Sequence, residues 1–188
     1  MPDTVESGFN AGIEGSAPAG ATHYLREAVR IARFDEEAIV RVAGDRKALK
    51  YGACVVAAAA VLSYLSELLV DRSDDGPIGP LGLAIGLLVV VPLQLLVSAV
   101  HVGVIHALGK LLLGASGSYV SLLRVLWLAS IVSWLAVIPI VGPIAAGVWF
   151  LLITLVTFEN VDGVERLQAL VLVIGVAALM LLLQTLLA

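Results

Sequence analysis

Long apolar runs, broken only by short polar segments, fill the chain from Leu49 to its end. Runs of about twenty such residues match the hydrocarbon thickness of a bilayer, and in lipid the backbone of such a run satisfies itself by forming a helix. The expected fold is all-α: a polytopic membrane protein with five transmembrane helices, preceded by short cytoplasmic amphipathic helices. Composition agrees, because 60% of residues are hydrophobic and 14% charged, with mean hydropathy +1.04. Soluble domains are roughly half apolar and about a quarter charged. In 188 residues, five spans leave no room for a separate soluble enzyme domain.

The spans are expected at about 49–70, 81–108, 119–138, 144–158 and 167–187, within one membrane domain, 49–188. The second is longer than a crossing requires, and Pro92 offers it a place to bend by leaving the Leu88 carbonyl without its donor. Pro139 and Pro143 interrupt an apolar stretch too long for one crossing, which predicts an outer hairpin turn at 139–143. A re-entrant element there is the alternative, and it would move the last loop to the other side.

Charge placement sets the expected orientation. Seven Lys or Arg residues precede or open the first span, Lys110 and Arg124 follow the second, and Arg166 follows the fourth; only Arg72 falls on the other face. The positive-inside rule makes the ten-charge face cytoplasmic and leaves the C-terminus outside. The net charge of −4 is spread over loops and describes no nucleic-acid surface.

Residues 1–21 are rich in Gly, Ala, Ser and Pro, which predicts a disordered tail. The tail lacks the basic start and apolar core of a secretory leader, so the first span is expected to direct insertion itself. From 22 to 48 a cytoplasmic amphipathic region is expected. Leu25, Ala28, Val29 and Ala32 share one helical face and Arg26, Arg30 and Arg33 form a stripe on the other; Asp35 then reads as the N-cap of a second helix that stops at Gly44. Two placements satisfy this pattern: helices on the lipid surface with Arg26, Arg30 and Arg33 as headgroup contacts, or helices packed together or on the bundle.

Gln94, Ser98 and His101 follow an i, i+4, i+7 spacing and are expected to share one face inside the membrane. Such groups bridge neighbouring helices or line a wet pathway, and bridging is the default for a span without an acidic partner. Glu67 lies close enough to the outer loop to reach headgroup water. Ser130, Ser133, Thr154 and Thr157 read as small polar contacts between helices, and Gly82 and Gly86 as a close-approach face. Trp127, Trp134 and Trp149 read as packing or interface residues, and Cys54 as a small packing residue. The chain carries no catalytic triad, nucleotide loop or metal-ligand spacing, so no catalytic, cofactor or metal residues are expected.

The run 106–119, His-Ala-Leu-Gly-Lys-Leu-Leu-Leu-Gly-Ala-Ser-Gly-Ser-Tyr, resembles the Yip1 domain family. There a His-containing helix end leads through a Lys-Leu-Leu-Gly-Gly-like stretch and a Gly-Ser-Phe-like step into the third membrane helix. His106, Lys110, Gly114, Gly117 and Ser118 carry the likeness; Ala115 replaces the second glycine. The turn near Pro139, the loop before the final helix and the lead-in 35–49 are also similar. The resemblance spans roughly residues 22–188 and implies five membrane helices with a cytoplasmic N-terminus. Eukaryotic members are linked to prenylated GTPases, but this chain lacks their Asp-Leu-Tyr-Gly-Pro-like element, and the resemblance is to microbial members.

The expected function is a non-enzymatic membrane scaffold or organiser, with the N-terminal helices and the loop 110–124 as contact surface. Its partners are the lipid bilayer and another membrane protein or a second copy of the chain. The competing expectations are a small channel or transporter using Gln94, Ser98 and His101, and an accessory subunit of another membrane protein.

Overall fold

A computed structural model describes residues 20–70, 79–138 and 140–187, with side chains at 69, 70 and 179–187 excepted. The expected disordered tail up to residue 19, the acidic segment 71–78 and Pro139 lie outside the described residues.

All described elements are helical: α1 (Ala21–Ala32), α2 (Glu36–Gly44), α3 (Ala48–Val70), α4 (Pro80–Leu113), α5 (Tyr119–Ala129), a 3₁₀ segment (Ser130–Val137), α6 (Val141–Asp162) and α7 (Arg166–Leu187). Among the described residues four helices are long and apolar enough to cross a membrane: Ala48–Leu68, Pro80–Leu113, Tyr119–Val137 and Val141–Asp162. The protein is thus an all-helical bundle of membrane type. α7 is a helix too, and the part of it with described side chains, Arg166–Ala178, falls short of a crossing.

Several boundaries differ from those read off the sequence, each for a local reason. α4 continues through Pro92 and past 108 to Leu113, because Leu111, Leu112 and Leu113 keep the helix apolar until Gly114 takes a left-handed conformation. The Ala115 amide then bonds back to the Gly109 carbonyl, the 6→1 closure of a glycine-capped helix end. α6 likewise runs from 141 to 162, beyond the expected 144–158, and ends on left-handed Gly163 with the Val164 amide bonded to the Phe158 carbonyl. Ser118 opens α5 by accepting the Ser121 amide at 3.1 Å. The expected third span is divided: its second half tightens into the 3₁₀ segment. Between that segment and α6 the chain turns at Ile140, which holds a positive φ of 66°.

α1 and α2 pack on the bundle. Tyr24, Ala28 and Ile31 of α1 and Ala38, Ile39 and Val42 of α2 share one core with Val125, Leu128, Val132 and Ile153. The apolar face of α1 is therefore rotated from the one expected: Leu25 and Val29 are 44% and 38% exposed, whereas Tyr24 and Ile31 are 2% and 0%. Tyr24 fixes that rotation by stacking on Tyr51 of α3 at 4.2 Å and donating to the Asp45 carboxylate at 2.5 Å. Glu27, which the rotation buries, is held by Arg41 of α2 at 2.8 Å. Arg124 of α5 donates at 2.7 Å to the Ala43 carbonyl, one of the orphan acceptors at the end of α2. Arg124 is thereby an internal tie as well as part of the expected contact loop. Arg26, Arg30 and Arg33 remain on the exposed side, with Arg30 bonded to Asp35 at 2.7 Å.

Candidate functional site

α3 and α4 approach closely where Tyr64 meets Gly86: the Tyr64 hydroxyl occupies the space that a Cβ at Gly86 would need. The expected close-approach face is thus used at Gly86. Below this crossing the two helices and the 3₁₀ segment enclose a cavity of about 190 Å³. Its polar wall comes from Ser63, Tyr64 and Glu67 on α3, Gln94 and Ser98 on α4, and Ser130 and Ser133 on the 3₁₀ segment.

Two of the three residues expected on the α4 face therefore line the cavity; His101, half-buried, is not among its lining residues. The i, i+7 step from Gln94 carries His101 a further turn along α4, toward the dry packing of Val102 and Ile105. Glu67, Ser130 and Ser133, expected only as boundary or bridging groups, instead face Gln94 and Ser98 across the cavity. Ser63 and Glu67 share the i, i+4 spacing of Gln94 and Ser98, a signal present in the sequence.

Hydrogen bonding sets the polarity of this wall. Ser98 donates to the Leu95 carbonyl at 3.0 Å and Ser130 to the Leu126 carbonyl at 3.0 Å. Their protons are committed to their own helices, so their oxygens face outward as acceptors. Glu67 adds a carboxylate, and no Lys or Arg among the described residues lines the cavity. One turn below Ser98 and Ser130 stand Val102 and Leu126, at 2% and 0% exposure, within a core that also holds Ile105, Leu122 and Phe158. The cavity ends on that packing.

A second polar cluster lies at the opposite end of the bundle, where α4, the loop 114–118 and α6 meet. The Asp162 side chain is buried at 2% exposure, and neither carboxylate oxygen has a hydrogen-bond partner among the described residues; the same holds for His106 Nδ1. Gly117 lies against Asp162, whose Oδ1 occupies the place of a Cβ at that position. The Ser116 amide and hydroxyl both donate to the Asp162 carbonyl at 3.2 Å. The His106 ring lies 6.1 Å from that of Tyr119, and the Tyr119 hydroxyl donates to the Ala99 carbonyl at 3.0 Å.

The five residues of the family-like loop have distinct places here. Gly114 and Ser118 cap helices, Gly117 admits Asp162, His106 meets Tyr119, and Lys110 is exposed. Asp162 was missed in the sequence because an acidic residue in a loop-like stretch carries no sign of burial. Among the described residues no group of His, Cys, Asp or Glu is arranged to hold a metal ion. No family model, curated protein or solved structure matches this chain.

Proposed function

We propose that this chain is a non-enzymatic membrane protein of Yip1 type, crossing the bilayer five times with α7 as the last span, its N-terminus cytoplasmic and its C-terminus outside. It works by presenting helices to another membrane protein, as a scaffold or accessory subunit. One observation carries the reading: the most apolar stretch of α4 has no buried residue, and Leu81 and Leu88 are 73% and 77% exposed. The bundle thus leaves the outer face of this stretch of α4 available for lateral contact, where close packing drives association between helices in lipid. The basic residues of α1 and α2, with Lys110 near the end of α4 and Arg124 in α5, support the orientation.

A photo-crosslinker placed at Leu88 in native membranes should give a discrete protein adduct, and one at buried Val102 should not. Adducts to lipid alone from Leu88 would overturn the partner reading. Cysteine labelling tests the topology: probes at Gly79 and at the C-terminus should react from one side and a probe at Gly163 from the other.

A second reading, transport, is favoured by the polar cavity between α3, α4 and the 3₁₀ segment. The dry packing of Val102, Ile105 and Leu126 beneath it argues against an open pore in this conformation.

A further inference from the structure

We infer that the cavity between α3, α4 and the 3₁₀ segment is a binding site for a small monovalent cation, entered past the exposed Glu67. The inference deepens the transport reading by naming what the cavity takes, and it requires no passage across the membrane.

Three features select the ligand class. The first is charge: Glu67 supplies a carboxylate and, among the described residues, no basic side chain lines the wall, so an anion would find no counter-charge there in a region of low dielectric. The second is hydrogen-bond polarity. Ser98 and Ser130 have directed their protons to the Leu95 and Leu126 carbonyls and offer oxygen lone pairs to the interior, and Gln94 can add its amide oxygen. Hard monovalent cations and protonated amines are the species that a carboxylate and neutral oxygens satisfy together.

The third is size. A cavity of about 190 Å³ has room for a small ion with several waters, since a water takes about 30 Å³ of liquid volume. A bulky organic ion would exceed it, and the single carboxylate of Glu67 balances one positive charge. The carboxylate stands near the mouth, because Glu67 is exposed and lies in the last turn of α3. The serines stand deeper, above the packed Val102 and Leu126. An entering cation meets the charge first and the neutral oxygens second, and then goes no further.

The test is thermal unfolding of the full chain in detergent, followed by tryptophan fluorescence. NaCl, KCl and methylammonium chloride are titrated against N-methylglucamine chloride at constant ionic strength. A ligand that binds only the folded state raises the midpoint saturably. We expect such a rise with at least one of the three cations, the alkali and ammonium arms deciding which kind the site prefers. Glu67→Gln and, separately, Gln94→Leu should raise the half-saturating concentration at least tenfold, whereas His101→Leu should leave it unchanged. Both altered positions are exposed, so folding is preserved, and each variant's midpoint in N-methylglucamine checks this. Absence of a saturable rise with all three cations, or an equal rise in Glu67→Gln, overturns the site. A saturable rise without cation flux in liposomes leaves the site standing and removes transport.

Discussion

The indole Nε1 of Trp149 donates a 2.7 Å hydrogen bond to the carbonyl of Ala32, tying the interior of α6 to the last residue of α1. Phe34, at a left-handed φ of 62°, stacks on the same indole with ring centroids 5.5 Å apart. Trp149→Phe keeps a ring for the stack and removes the donor. It should weaken docking of α1 and α2 by about 1 kcal/mol, the usual net worth of such a bond. Hydrogen exchange should quicken in residues 21–47 with little change in α3. Unchanged exchange there would show that apolar packing alone holds the N-terminal helices.

The same docking should depend on pH at both extremes. Asp35 is held below the ordinary carboxylate range by the Ala38 amide and the Arg30 guanidinium. Burial raises Asp45, but the Tyr24 hydroxyl and the Lys47 amide outweigh it and leave its pKa lowered. Burial and the bond to Asp45 push the Tyr24 phenol well above its usual value. Depressed carboxylates contribute fully above their unfolded value, about 3.9, and lose that contribution as pH falls through the folded value. Raised Tyr24 contributes fully below about 10 and loses its contribution as pH rises through the higher folded value. Protection of residues 21–47 should therefore be flat between these limits and decline outside them, and Tyr24→Phe should remove the alkaline decline.

At the loop 114–118, Gly117→Ala would drive a methyl group into the Asp162 carboxylate and to 3.1 Å from the Val161 carbonyl. Overpacking of this kind costs about 1–3 kcal/mol. Adding Asp162→Ala to that variant should recover much of the loss, because the two side chains then no longer compete for one space. Unfolding midpoints of the two single variants and the double variant decide this, and strictly additive effects would refute the contact.

Ile140 is β-branched and holds φ at 66° in the turn that opens α6. Left-handed backbone costs a non-glycine residue about 1 kcal/mol or more. Its side chain is 83% exposed and contributes little packing. Ile140→Gly should thus raise stability by about 1 kcal/mol in thermal or denaturant unfolding. A loss would mean that this side chain gains from lipid or a neighbour more than the strain takes away.

The all-helical membrane-type bundle and the reversal near residue 140 were legible in the apolar runs, because run length and prolines act locally. Asp35 caps α2 as read, accepting the Ala38 amide at 3.0 Å, whereas the roles of Gly114 and Ser118 at the helix ends emerge only in the folded chain. The face of α1 was not legible either. Leu25, Ala28, Val29 and Ala32 form as regular a stripe as Tyr24, Ala28 and Ile31, and only Tyr51, Asp45 and Arg41, supplied by other elements, select the second. The polar groups behaved alike: Gln94 and Ser98 were visible as a pair, but their meeting with Glu67, Ser130 and Ser133, and the exclusion of His101, depend on how α3 and the 3₁₀ segment are rotated. Asp162 needed Gly117, 45 positions earlier, to be buried at all. Periodicity along one helix states which residues can share a side; which side turns inward is settled by contacts between segments distant in sequence, and those exist only in the folded bundle.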